Sequence, residues 1–289
     1  MNTPAGDRSY VDLWRDVRKA SSSFRIKRQG NAGIADVKVD RARGQDRPLL
    51  DLEGLNLEAF PLKQLALHFL PILENHQVFA REEVQGFSNN LKGLNLCDLA
   101  RMVLHREWGN LKSLSLESRV GADLLWFVGL NLLQAVLESH AQALEPQVDL
   151  ENWNRGNCPV CGSPPAMERL RREDGKKVLW CGLCGTQWHY LRIKCPFCGT
   201  DDHNNLRYFV VEENPTSHKS AFRVDVCDQC KSYIKTLDER KLPESEKSDL
   251  HLENPGTLFL DVLAQSDGYR SPTYWMMGPP EDIFISREL

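Results

Sequence analysis

Eight of the nine cysteines fall between Cys158 and Cys230, in four C-x-x-C pairs: Cys158/Cys161, Cys181/Cys184, Cys195/Cys198 and Cys227/Cys230. Two residues between paired cysteines let one tight turn aim both sulfurs at the same ion. Four thiolates close the tetrahedral shell of a structural zinc or a rubredoxin-like iron, so eight supply two shells with none left over. In chain order the first site is Cys158, Cys161, Cys181 and Cys184, with 19 residues between its pairs. The second is Cys195, Cys198, Cys227 and Cys230, with 28 between. Interleaved pairing and [4Fe–4S] clusters are the competing arrangements, although ferredoxin spacing is more compact. Disulfides suit short secreted chains, and 289 residues need no such staples. A thioredoxin-like motif needs one C-x-x-C between strand and helix, not four in tandem.

Between the pairs the chain reads as β-hairpins. Met167 onward and Lys177–Trp180 flank Asp174-Gly175, a strong two-residue turn signal. Trp188–Ile193 reads as a third strand with Trp188 and Tyr190 on one face. The second half repeats the plan with Leu206–Val211, a turn from Asn214-Pro215, Phe222–Val226 and Tyr233–Leu237. Each half is therefore C-P-x-C-G, hairpin, C-x-x-C, strand: the layout of a zinc ribbon, duplicated. Gly162, Gly185 and Gly199 supply the left-handed residue on which such a turn exits. Lys231 holds that place at the fourth pair, which is expected to be less regular.

Elsewhere the period is helical. Leu62, Leu65, Ala66, Phe69, Leu70 and Leu73 share one helix face, Pro61 suits its first turn, and Pro71 would bend it. Leu99–Trp108 reads as a helix capped by Asp98, and the strongest helix runs from Ser118 to about Leu144. Asp123, Gln134 and Glu138 interrupt its apolar character, so a buried helix is expected and no membrane span. Cys97 reads as a small buried hydrophobe. The fold class is α+β, a helical N-terminal domain followed by two tandem rubredoxin-like or zinc-ribbon modules. Its expected divisions are a partly ordered polar arm (1–50), a helical domain (51–150), first ribbon (151–194), second ribbon (195–240) and a C-terminal segment with a short helix (241–289).

Residues 145–157 read as a linker, and Asn254-Pro255 as the start of the last helix. In the arm, eleven Lys/Arg against six Asp/Glu up to Arg47 give about +5. Basic residues gather at Arg25, Lys27 and Arg28 and at Arg41, Arg43 and Arg47, while Tyr10, Val11 and Trp14 suggest a short helix. The arm shows no apolar run of a secretory signal, so a cytoplasmic protein is expected.

A formal charge of -4 gives no general pull toward nucleic acid. Arg169, Arg171, Arg172, Lys176, Lys177, Arg192 and Lys194, interleaved with Trp180, Trp188 and Tyr190, do form a basic-aromatic patch in the first ribbon. This is the candidate interaction surface. A nucleic-acid-binding ribbon is the alternative to a protein-binding one, although Asp201, Asp202, Glu212, Glu213, Asp225 and Asp228 oppose it in the second ribbon. Catalysis has no support: eight sulfurs close both shells, and no P-loop, dinucleotide fingerprint, H-E-x-x-H or G-x-S-x-G occurs. His189 and His203, near the knuckles, could replace a ligand or donate to a sulfur from outside the shell, and otherwise read as surface residues.

Cys158-Pro-Val-Cys-Gly-Ser, Trp180-Cys-Gly-Leu-Cys-Gly-Thr, Trp188-His189 and Ile193-Lys-Cys-Pro-Phe-Cys-Gly resemble the FdhE family, accessory proteins of formate dehydrogenase formation. The resemblance implies a cytoplasmic, non-catalytic protein that binds the catalytic subunit of respiratory formate dehydrogenase. It would assist maturation before export by the twin-arginine route. It also implies rubredoxin-like sites holding iron or zinc on all eight paired cysteines.

Overall fold

The computed structural model describes residues 5–28, 47–150, 152–210 and 218–279. They fall into two compact units. The first takes its described residues from Met1–Asp36, Gly54–Ser139 and Trp275–Leu289, the second from Val37–Glu53 and His140–Tyr274.

The first unit is helical. Helix α1 (Ala5–Arg28) is far longer than the short element expected around Tyr10. Leu13, Trp14, Val17 and Ser21 recur at helical spacing and are buried. Trp14 meets Phe127 edge-on at 5.1 Å, and Arg18 Nη1 lies 3.1 Å from Glu138 Oε1. The basic clusters Arg25/Lys27/Arg28 (as side chains) and Arg41/Arg43 lie outside the described residues.

Helix α2 (Leu62–His76) buries the expected stripe of Leu62, Leu65, Ala66, Phe69 and Leu73. Pro71 is inside it on the exposed face, so the carbonyl it leaves unbonded can meet water and the helix continues. Next come α3 (Arg81–Asn90) and α4 (Leu96–His105). Asn95, not Asp98, caps α4: its side chain accepts from the N–H groups of Cys97 and Asp98, and its amide donates to the Asp98 carboxylate at 2.6 Å.

Ser118 likewise does not open the long helix. It closes α5 (Trp108–Ser118), its hydroxyl donating to Leu114 O at 2.6 Å, and Arg119 turns the chain at φ 56°. Helix α6 (Ala122–Leu144) begins only after that turn. It is apolar nearly all round and buried nearly all round. Ala122–Gln147 is the one stretch among the described residues long and apolar enough to cross a membrane, and 89% of that window is buried inside the protein.

The second unit is built on one sheet of six strands: β1 (Met167–Leu170), β2 (Lys177–Trp180), β3 (Gln187–Tyr190), β4 (Leu206–Val210), β5 (Phe222–Cys227) and β6 (Ser232–Asp238). Strand β3 stops at Tyr190, short of the expected Ile193, because the chain turns there into the third cysteine pair. Each cysteine half contributes an antiparallel three-stranded meander. The order is β3-β2-β1-β6-β5-β4, with β1 and β6 parallel, so the halves share one continuous sheet.

Helices α7 (Leu250–Gly256) and α8 (Leu258–Ser266) follow. Asp249 caps α7, leaving Asn254 and Pro255 inside it instead of at its start. Asp261 of α8 accepts from the buried Lys235 ammonium and from the Tyr233 hydroxyl, both at 2.7 Å, fixing α8 to that face of β6.

Candidate metal centres

Three cysteine turns share one backbone scheme. Cys158 N–H donates to Ser163 O and Gly162 N–H to Cys158 O. The same pair of bonds recurs at Cys181 (Thr186 O, Gly185 N–H) and at Cys195 (Thr200 O, Gly199 N–H), all between 2.8 and 3.0 Å. Each closing glycine has φ between 77° and 79°. The fourth turn exits through Lys231 at φ 55°, and the Lys231 carbonyl accepts from Arg270 N–H at 2.9 Å. A non-glycine residue there costs roughly 1 kcal/mol.

The four turns meet two by two, in chain order. The sulfurs of Cys158, Cys161, Cys181 and Cys184 lie within 4.8 Å of one another, as do those of Cys195, Cys198, Cys227 and Cys230. Cys158–Cys184 and Cys161–Cys181 are separated by 3.5 and 3.4 Å, and Cys195–Cys230 and Cys198–Cys227 by 3.7 Å. A tetrahedral zinc or iron with metal–sulfur bonds of about 2.3 Å sets its sulfurs about 3.8 Å apart. Both clusters are thus positioned to coordinate one metal ion tetrahedrally. In the first cluster burial pushes the Cys158 and Cys181 thiols well up, while hydrogen bonds from the three neighbouring sulfurs hold Cys161 well below the ordinary thiol range. One thiolate can be sheltered that way. Four need a bound cation.

The clusters differ in exposure. All four sulfur-bearing residues of the first are buried, whereas in the second Cys198 is exposed and Cys230 half-buried. Cys97, half-buried in the first turn of α4, belongs to neither cluster. His189 and His203 add no atom to either: His189 lies in β3 opposite Val178, and His203 sits exposed in a short 3-10 turn, His203–Asn205.

The aromatic side chains of the basic-aromatic patch, Trp180, Trp188 and Tyr190, are not at the surface. Trp188 is buried, its indole N–H donating to Arg155 O at 3.1 Å. Tyr190 is also buried, its hydroxyl donating to Cys195 O at 3.2 Å and pushed up to about 12, first by burial and then by the neighbouring Cys195. Arg169 pairs with Glu239, Arg171 with Glu173, and Lys176 with Asp174, while Arg172 donates to the carbonyls of Leu242 and Pro243. Rings inside the protein cannot stack on bases, and their interval in a strand reflects an inward face.

Two further segments hold the cysteine turns in place. Leu49 and Leu50, placed in the polar arm, are buried, and their N–H groups donate to Pro159 O and Val160 O of the first cysteine turn at 3.1 and 2.8 Å. Their adjacent apolar side chains after Pro48 were the available signal. The stretch read as a linker is also fixed: Trp153 is buried and donates to Asn157 O at 2.8 Å, and Gly156 lies directly against the Pro196 carbonyl of the third turn.

The fold and site together define a helical protein with a β-rich region carrying two tetracysteine metal centres. Residues 157–192 match the FdhE central domain and residues 193–277 the FdhE C-terminal domain. The chain therefore carries FdhE-family domains across both clusters. A protein FdhE homolog of Aquifex aeolicus is 28% identical over 238 residues, 80% of this chain and 74% of that protein. A homolog from Pseudomonas aeruginosa is 34% identical over 52% of this chain and 49% of its own length. Protein FdhE of Escherichia coli is 32% identical over 40% of this chain and 35% of its own. The crystal structure of the FdhE protein from Pseudomonas aeruginosa superposes with a TM-score of 0.69, covering 95% of both chains; at 20% identity this likeness speaks to fold alone.

Proposed function

We propose that this chain is a cytoplasmic accessory protein that binds the catalytic subunit of respiratory formate dehydrogenase and assists its maturation before export. The observation that carries the reading is the match of both FdhE domains over 157–277, the region that holds every cysteine of the two clusters. The role is non-catalytic. We assign the ligands to Cys158, Cys161, Cys181 and Cys184 at one centre and Cys195, Cys198, Cys227 and Cys230 at the other, each half being a rubredoxin-like or zinc-ribbon module. The working divisions are an arm (1–50), a helical domain (51–150), ribbons at 151–194 and 195–240, and a C-terminal segment (241–289). Zinc would supply rigidity only, whereas iron in the same shell adds a one-electron couple.

The test is co-purification of the full chain with a tagged formate dehydrogenase catalytic subunit, comparing wild type with Cys158→Ser/Cys161→Ser. The expected result is capture by the wild type and at least a tenfold loss in the variant, with the helical circular dichroism retained. Absence of capture by the wild type rejects the client. Undiminished capture by the variant rejects docking that depends on the first centre. Elemental analysis of protein purified without oxygen or chelator then decides between iron and zinc.

A further inference from the structure

Strands alternate their side chains, so one face of the sheet presents Tyr208 from β4, Arg223 and Asp225 from β5, and Ile234 from β6. Helix α8 packs on the opposite face. On the first face the chain leaving β3 toward the third cysteine turn forms a rim with Ile193, Lys194 and Phe197, enclosing a cavity of about 290 Å³. Its floor sets Val226 and Ile234, with Cys195 and Cys227 of the second cluster, beside satisfied ion pairs: Arg223 pairs with Asp225 at 3.0 Å, and Lys177 reaches Glu168 at 2.9 Å. Its mouth is open to solvent. Ile193 is 62% exposed and Tyr208 58%. Arg192 and Lys194 on the rim have no carboxylate partner among the described residues, although Lys194 sits over the Tyr190 ring at 5.8 Å.

Strand β4 borders the cavity and ends the sheet, so one edge of its backbone has no partner strand among the described residues. Exposed apolar side chains, two cations without a carboxylate partner among the described residues and a strand with no described neighbour on one edge all border this cavity. A cavity of this size is too small for a helix, whose diameter is about 10 to 12 Å, but admits one large side chain. An open edge pairs with an extended backbone. Cations without internal carboxylates are complemented by carboxylates from outside.

We propose that this cavity and the β4 edge together bind an extended acidic segment of a partner protein, added as a strand, with one large apolar side chain in the cavity and flanking carboxylates on Arg192 and Lys194. The inference deepens the reading of this protein as one that docks a client; it depends on that role and not on the client's identity.

A randomised decapeptide display library is selected on the metal-loaded full chain. Enriched peptides are then measured by fluorescence anisotropy against wild type, Arg192→Glu/Lys194→Glu and Ile193→Asp, after metal content and melting temperature are matched. The expected consensus is one aromatic or large aliphatic residue flanked by Asp or Glu. Its affinity should fall at least tenfold in each variant and at least tenfold when alternate backbone amides of the peptide are N-methylated. Failure to enrich, a consensus without carboxylates, affinities within twofold across the variants, or indifference to N-methylation each overturns the proposal. The selection uses no formate dehydrogenase. Failure to capture that subunit would remove the client's identity and leave this result standing, whereas failure here leaves the subunit capture intact.

Discussion

Glu168 is fully buried in β1, between Lys177 of β2 and Thr236 of β6, whose hydroxyl donates to it at 3.0 Å. Burial pushes its carboxyl up to about 7 against the pull of the Lys177 ammonium, and nearby Asp225, held low, pushes in the same direction as burial. An acid whose folded pKa is raised binds more protons folded than unfolded, so its contribution to stability declines as pH rises through the folded value. With an unfolded pKa of about 4.3, the expected loss between pH 6 and pH 8 is about 1.4 kcal/mol. Glu168→Gln should flatten that slope in urea unfolding of metal-loaded protein at matched pH; an unchanged slope rejects the assignment. A second residue acts through shape. A Cβ on Gly156 would collide with the Pro196 carbonyl, a backbone atom with no freedom to swing aside. Gly156→Ala should therefore cost about 2 to 3 kcal/mol and loosen the third cysteine turn, read as faster metal loss from the second centre. Sequence gave no sign of this. The glycine follows Asn154-Arg155 and reads as an ordinary linker residue, because a close approach between segments 40 residues apart leaves no local pattern. Trp188 and Tyr190 are a related case: alternation marks a strand face without telling whether that face is covered.

At the scale of the element, the cysteine turns were the most legible part of the chain. Each is encoded within six residues: two sulfurs, a hydrogen-bonded loop and a left-handed exit, with the glycine at three exits fixed by φ near 78°. The fourth was also legible as an exception, and Lys231 there is tied to Asp228 at 2.8 Å. Helix starts were less legible because several capping residues compete nearby. Asn95 accepts from the N–H groups of Cys97 and Asp98 and so starts the helix three residues before Asp98, which falls in its first turn, and the Ser118 hydroxyl is already committed to the preceding helix. Burial then separates the two centres in a way their shared C-x-x-C pattern does not. A buried tetrathiolate exchanges its ion only when the surrounding structure opens, whereas exposed Cys198 offers a direct route to the second ion. Under native conditions a chelator should remove one metal equivalent at least tenfold faster than the other. Mass spectrometry after brief alkylation should find Cys198 and Cys230 labelled before any cysteine of the first centre. Equal release rates with labelling spread over both clusters would reject this ordering.

At the scale of the molecule, the sequence repeat suggests two modules in tandem, while the chain builds one sheet. The hairpins were visible because their partners lie within a few residues of each other. The pairing of β1 with β6 was not, since it joins Met167 to Lys235 and Leu170 to Asp238 across almost 70 residues, and no periodicity reports a parallel partner that distant. The join is one of non-equivalent edges, the first strand of one half beside the last strand of the other, so the duplicated units are stacked head to tail in the same orientation. A shared ladder has a thermodynamic consequence. Strand β6 takes hydrogen bonds from β5 on one side and β1 on the other, and Thr236 also bridges Glu168 and Asp225 from the two halves. Loss of the first centre should therefore be felt in the second half. In Cys158→Ser/Cys161→Ser, amides of β6 should exchange at least tenfold faster than in wild type, a change of about 1.4 kcal/mol in local opening. Those of β5 should follow to a smaller degree, with the second metal still bound. If the halves folded as independent ribbons, β5 and β6 would keep wild-type protection in that variant while only β1 to β3 lost theirs. Hydrogen exchange measured by mass spectrometry distinguishes the two outcomes peptide by peptide.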